Sequence, residues 1–369
     1  MAIPATAPAL HRLVYGGAVL GCGGGGSIDS GLAVVREALA LGAPRIAPLA
    51  SLQRTAIVAT VSAVGSVGKT SDRSLDCSHF TRALQLFEAF SGSEVEGLIT
   101  SEVGPRSVTY GLRESAARAI PVIDAPANGR AHPLYTMGAL GLHRKPRIAV
   151  AMVAVGGTRG TASYIELAAR TNVVKAARIV RDRASQGSMA LAVVRNPVTA
   201  TVVRRHAAVG ALSFAYRLGG ALLAALPQGP TSVLHRVADL MQGTVYALGR
   251  VASVALAEEQ GFSVGSIEIR RASGPLLRIL VCNEFMAVSD GDRLVAAFPD
   301  LIALFDRVSG LPLATGEVRV EAPVALFTVP RHRLRLGSTM SDSRLLRPIE
   351  QLLGIRFARR PRCARVERG

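Results

Sequence analysis

Tryptophan is absent, and only three of the 43 basic residues are lysines: Lys69, Lys145 and Lys175. Aromatic residues make up 4% of the 369 positions. That leaves too few flat rings to stack the bases of a single strand. The preference for arginine, beside an alanine-rich composition, reads as a bias of the whole chain rather than a designed basic patch. The net charge of +17 therefore does not by itself call for a nucleic-acid partner. The densest basic run, RFARRPRCARVERG, reads as a solvated tail within 351–369.

Paired cysteines are also missing. Cys22, Cys77, Cys282 and Cys363 stand far apart and form no C-x-x-C, which removes the zinc-finger and thioredoxin readings. Scattered cysteines in a chain of this length fit a reducing, cytoplasmic setting. No stretch of 18 residues is apolar and uncharged. The best run, GALSFAYRLGGALLAAL, is interrupted by Arg217, so no membrane partner is expected. The VLGC before the glycines resembles a lipid-attachment site, but the segment ahead of it builds no apolar core of a leader.

What is there is a globular composition, 49% hydrophobic and without a low-complexity tract. Residues 30–41 read as a helix with Ser30 as its cap and Gly42 at its end. TAIVATVSAVG reads as a buried strand. Phe80, Leu84 and Phe87 recur at helical spacing. EGLITSEVG and IPVIDAPANG read as strands flanking a helix, and RIAVAMVAVGG as another strand. Such alternation predicts an α/β N-terminal domain with a largely parallel sheet, over 11–160. From Thr161 to Ala184 and from Val203 to Leu226 the pattern is helical. After Gly249 short strands and turns dominate, so a β-rich C-terminal domain is expected, with 161–350 holding it and its helical connector.

In a parallel sheet the loops after the strands open into one crevice. The loops at 65–68, 102–104 and 124–130 all follow strands. Glu102 and Asp124 are the acids at those strand ends, and thus candidates for proton transfer. His132 sits in the same stretch, NGRAHP, and with Asp124 and Glu102 forms the small set of ligands a divalent metal such as zinc would find. Gly23, Gly24, Gly25 and Gly26 expose backbone amides at a helix start, where a carboxylate or developing anion is held. AVGSVGKTS, from Ala63, ends as a phosphate-binding loop would, yet lacks the first glycine and the immediate helix.

Five stretches in order, LGCGGGGSIDSGLAVVREAL, VSAVGSVG, EGLITSEVG, PVIDAPANGRAHPLYTM and RILVCNEFMAVSDGDRLVAAFPDLIALFDRVSGLPL, resemble the S-methyl thiohydantoin desulfurase-like family over about Leu13 to Leu353. The resemblance implies the same two-domain arrangement and removal of sulfur from thiohydantoin rings. It adds Arg130, Asn283 and Glu284 to the substrate-binding set, which Asn128, beside Arg130 in the same loop, joins as a candidate of this sequence. Members of that family commonly read D-x-D-x-M-G-R-A-F-P-E-x-Q-M in the fourth stretch. Here Pro126, Asn128, His132, Leu134 and Thr136 replace the second acid, Met, Phe, the second carboxylate and Gln. Two missing carboxylates imply altered activity. Three readings follow: a hydrolase or desulfurase acting on a thiohydantoin or hydantoin-like small molecule; a non-catalytic binding or scaffold partner of a hydantoinase-like enzyme; and a P-loop-like NTPase. A homo-oligomer or a hydantoinase-like partner suits the first two.

Overall fold

The computed structural model of the chain describes residues 3–65, 75–187, 189–259 and 261–357. Two helices, α1 (Ala7–Leu20) and α2 (Ile28–Leu41), flank the glycine run. Ser27, rather than Ser30, caps α2: the Ser30 amide donates to Ser27 Oγ (3.2 Å), and the Ser27 amide donates to Ser30 Oγ (3.1 Å). A hydroxyl one turn earlier reaches the free amides of the first turn, and Ser30 completes the reciprocal pair.

The chain continues through β1 (Ile46–Ala47), β2 (Ile57–Val64), α3 (Cys77–Ser91), β3 (Gly97–Thr100), α4 (Leu112–Arg118), β4 (Val122–Ile123) and β5 (Val150–Gly156). The segment after Thr161 departs from its helical expectation. It first forms β6 (Ile165–Thr171) and only then α5 (Val173–Gln186). In β6 Glu166, Ala168 and Arg170 are exposed while the residues between them are half-buried, a period of two that suits a sheet edge. Next come β7 (Leu191–Thr199), α6 (Ala200–His206), α7 (Ala211–Ala225) and α8 (Pro230–Met241). The remainder is β8 (Thr244–Glu259), β9 (Phe262–Arg270), β10 (Leu277–Cys282), β11 (Glu284–Asp290), β12 (Arg293–Ala297), β13 (Leu301–Asp306), β14 (Pro323–Val329) and α9 (Ser343–Leu353).

The result is an α/β N-terminal domain followed by a β-rich C-terminal domain. The first sheet is mixed, in the order β1-β4-β3-β2-β7-β5-β6. Its β1-β4-β3-β2 half is parallel, and β7, β5 and β6 are added antiparallel. The second sheet, β12-β11-β10-β9-β8-β14-β13, is antiparallel throughout. Phe80, Leu84 and Phe87 of α3 bury their stripe against Val61, Val153 and Val194 of the first sheet. A second cluster joins the two domains: Leu13 of α1 and Leu212, Leu218 and Leu222 of α7 share a core with Phe305 and Phe327 of the second sheet.

Helices α1 and α7 cross almost in backbone contact. A Cβ on Gly219 would lie 1.8 Å from the Arg12 carbonyl oxygen, and one on Gly16 1.9 Å from that of Ala215. Among the described residues no single helix is long and apolar enough to cross a membrane, although α6 and α7 as a bent pair have the length and composition. The buried face of α7 is used against α1. Gly219→Ala should part the two helices and cost about 1–3 kcal/mol, as overpacking does. Chemical denaturation of the purified variant measures it.

Candidate active site

The glycine run is a close-fitting joint between the domains. Cys22, Gly23, Gly25 and Gly26 all take positive φ, of 53°, 89°, 75° and 89°. Space is as limiting as conformation. A Cβ on Gly24 would lie 2.2 Å from Glu284 Oε1, and one on Gly25 2.6 Å from the Gly104 Cα. The bare backbone is then bonded on both sides, to the C-terminal domain through Cys22 and Gly23 and to its own domain through Gly25. The Phe285 amide donates to the Cys22 carbonyl and the Thr315 amide to the Gly23 carbonyl, each at 2.8 Å. The amides of Arg106 and Ser107 donate to the Gly25 carbonyl at 2.9 and 3.0 Å.

This joint brings two carboxylates to one cavity of about 150 Å³. Glu102, just beyond β3, and Glu284, at the start of β11, both line it, with Gly24, Gly25, Gly26, Gly65, His132 and Asn283. The Glu284 side chain lies over Gly24, and its Oε2 is buried without a hydrogen-bond partner. Glu102 Oε2 accepts from the His132 backbone amide at 3.1 Å and stands 3.6 Å from His132 Nε2. Burial pushes the Glu102 carboxyl up to about 7, against the pull of that amide and of Arg195 and Arg130. Burial, then the neighbouring Glu102, push Glu284 well above the usual carboxylate range. His132 is driven the other way, down to about 3, by burial and by the Arg195 charge. The cavity therefore offers a base that ionises near neutrality, an acid that keeps its proton, and a neutral imidazole.

Other residues expected in the crevice stand elsewhere. Asp124 does not line the cavity. Its Oδ1 accepts from the amides of Leu212 (2.8 Å) and Ser213 (3.2 Å), so it caps α7 from a neighbouring strand end. Arg130 is fully buried behind the wall. Its Nη1 donates to the Asp300 carbonyl and its guanidinium carbon lies 4.7 Å from the Phe298 ring centroid. Asn128 is also fully buried, donating to the Met137 carbonyl at 2.7 Å. Gly23 packs on Phe285 and Thr315 and faces an outer groove instead. Asn283 reaches the cavity while its Oδ1 accepts from the Ser263 amide (2.9 Å).

With Asp124 occupied at α7, the donor set expected for a divalent metal does not come together. Among the described residues no three His, Cys, Asp or Glu side chains converge on one point. Cys22 is fully buried in the inter-domain core, and burial raises its thiol above the usual range, which makes it a packing group. Neither Pro126 nor Leu134 lines the cavity; Leu134 packs with Met137 and Phe298. Of AVGSVGKTS, residues 66–71 lie outside the described residues, as do Cys363 and 358–369, while Ala63, Val64 and Gly65 line the cavity. The first part of the expected tail, 351–357, does not form a solvated tail, since α9 ends within it and Phe357 is buried in a core cluster.

The cavity also contains residues that the sequence patterns left unmarked: Tyr135, Arg106 and Arg181. Tyr135 lies under the buried Arg195 guanidinium, whose carbon is 3.5 Å from the ring centroid. Arg181 comes from α5, where it is one arginine among several and has no local signature.

The profile described as "S-Me-THD-like, N-terminal domain" matches residues 8–166, and "S-Me-THD-like, C-terminal domain" matches residues 170–336. No curated protein matches the chain. Among solved structures, the X-ray crystal structure of a protein from Chromobacterium violaceum is similar, with 18% identity, a TM-score of 0.70 and 96% of each chain covered. At that identity the likeness speaks for the fold.

The raised Glu102 carboxyl has a consequence for stability. In the unfolded chain it ionises near its ordinary value of 4.5, in the folded chain near 7. Between those values the unfolded state gains charge first, so the protein loses stability as pH rises through this window. Glu102→Gln removes that loss. Its melting temperature should exceed that of wild type above pH 7 by more than it does at pH 4, read from paired thermal melts.

Proposed function

The chain belongs to the S-methyl thiohydantoin desulfurase-like (S-Me-THD-like) family, and from that premise we propose that it hydrolyses the C=S bond of a thiohydantoin-like five-membered ring. The observation that carries this reading is the pair of carboxylates from different domains, Glu102 and Glu284, on one small cavity. Two acids whose surroundings hold them in different protonation states divide the roles of base and acid.

Glu102 takes a proton from water as its oxygen attacks the thiocarbonyl carbon. The C=S π pair moves onto sulfur. Glu284 gives its proton to that sulfur. The tetrahedral carbon then expels hydrosulfide, its hydroxyl returns a proton to Glu284, and a carbonyl remains. The proton on Glu102 and the hydrosulfide together account for the hydrogen sulfide released from one thiocarbonyl and one water. His132, held neutral, orients Glu102 through its backbone amide and takes no part in the proton count. The two acids absent at Pro126 and Leu134 are not needed in this scheme, since neither position faces the cavity.

The test is sulfide release from a panel of thiohydantoins. Turnover is expected, with kcat/KM rising with pH as Glu102 ionises near 7. Glu102→Gln should lose about 10²–10⁴-fold, the usual contribution of a positioned base. Absence of sulfide from every ring tested, with tight binding of one of them, would favour a ligand-binding protein.

A further inference from the structure

Electrons arriving on sulfur need a cation nearby, and Arg130 is not on the cavity wall to supply it. Arg181 is. It projects from α5, half-buried, with its guanidinium carbon 4.2 Å from the centroid of the Phe262 ring at the start of β9. Its hydrogen bonding within the described residues is one long contact, Nη2 to the Pro133 carbonyl at 3.4 Å. It forms no ion pair with a carboxylate among those residues, whereas Arg82, Arg113, Arg118 and Arg271 each have one. Arg106, the other arginine on the wall, is engaged within the protein.

A partly buried cation without a counter-ion is costly unless something anionic arrives. The neighbouring Cys282 thiol does not fill that role, because burial pushes it up to about 12 and keeps it protonated. Glu284 lines the same cavity as Arg181, and the two influence each other's ionisation. The acid and the cation therefore bracket one space. A guanidinium is flat and weakly hydrated, and stacking on Phe262 leaves its other face to a large, polarisable atom.

We propose that Arg181 is a catalytic residue that receives the substrate's sulfur as it becomes anionic and holds the departing hydrosulfide. The proposal rests on the hydrolytic reading of the site. No additional reactant is required: the C=S π pair moves to sulfur as water's oxygen bonds to carbon, and the C–S bond breaks when the carbonyl forms. Arg181 provides charge and hydrogen-bond donors only.

The experiment is calorimetric titration of wild type, Arg181→Met and Arg181→Lys with sodium hydrosulfide and, separately, with propionate. Methionine keeps an apolar stem over Phe262, and thermal melts of each variant establish that it is folded. Wild type should bind hydrosulfide. Arg181→Met should weaken that binding at least about tenfold, the scale of a charge-assisted hydrogen bond, and Arg181→Lys should recover part of it. With a thiohydantoin bearing a neutral substituent, Arg181→Met should lower kcat and leave KM nearly unchanged. Two results overturn the proposal. One is hydrosulfide binding that is absent in wild type or equal in Arg181→Met. The other is dependence on Arg181 for propionate alone, with KM rather than kcat affected, which makes Arg181 a reader of an acidic substituent. Because hydrosulfide binding is measured without substrate, failure of the hydrolytic reading appears separately, as absence of turnover with this anion site intact.

Discussion

The site depends on backbone-to-backbone contact between the turn at Cys22–Gly26 and the C-terminal domain, at the start of β11 and at Thr315. Two inter-domain hydrogen bonds fix the turn, Phe285 to Cys22 against β11 and Thr315 to Gly23 against the connection between β13 and β14. They leave no room for side chains, and the glycines provide that space. The same contact sets Glu284 over Gly24, on the cavity that Glu102 also lines. The dyad thus exists only when both domains are folded and docked. The hydrophobic cluster shared by α1, α7, β13 and β14 makes that docking strong, because it is part of the core rather than a surface patch.

The arrangement works against folding. Two carboxylates in one cavity oppose each other's ionisation, and each loses hydration on burial. Glu284 adds an oxygen with no hydrogen bond from the protein. A fold selected only for stability would place apolar side chains there. Cys22, held at a φ of 53°, and the acid with an unpaired oxygen meet at the same contact, and the surrounding core must offset both costs. The surplus comes from elements that are regular, such as the α3 stripe on the first sheet and the capped helices α2, α3 and α7.

Local patterns revealed what depends on local physics. The stripe of α3 and the strand before Glu102 are periodicities, and both appear in the structure; the change to strands expected after Gly249 comes earlier, at Thr244, and opens with the 16-residue β8 rather than a short strand. The β6 edge strand escaped because its weak alternation sits directly before the strong helix α5. Glu102 was legible as an acid at a strand end. Asp124 has that same local signature, yet it caps α7, which begins 87 residues later in the chain. Nothing near either acid in sequence separates the two cases. The partner of the glycine run could not be read from the run itself, since a bare backbone shows that something approaches closely and not what. Glu284 entered through family resemblance, and its pairing with Glu102 is a property of the docked domains.

The arginine bias looked like composition alone, and the structure gives part of it a physical use. The chain has ten Phe and six Tyr, and among the described residues eight of these rings carry an arginine guanidinium within 6 Å of the centroid. Three of these pairs are Arg130 on Phe298, Arg195 on Tyr135 and Arg181 on Phe262, of which Arg181 and Tyr135 line the cavity. A lysine at such positions would tend to lose its proton on burial, and with it the field that favours ionised Glu102. A guanidinium keeps its charge, and an aromatic face supplies part of the solvation that water would have given. Two of these arginines sit behind the wall, where no ligand reaches them, and act on the carboxylates through space. Arg181 differs in one respect that decides its role: it faces the cavity. The same stacked-arginine unit therefore serves two ends, holding a buried acid within reach of ionisation from behind and meeting an anion from the front.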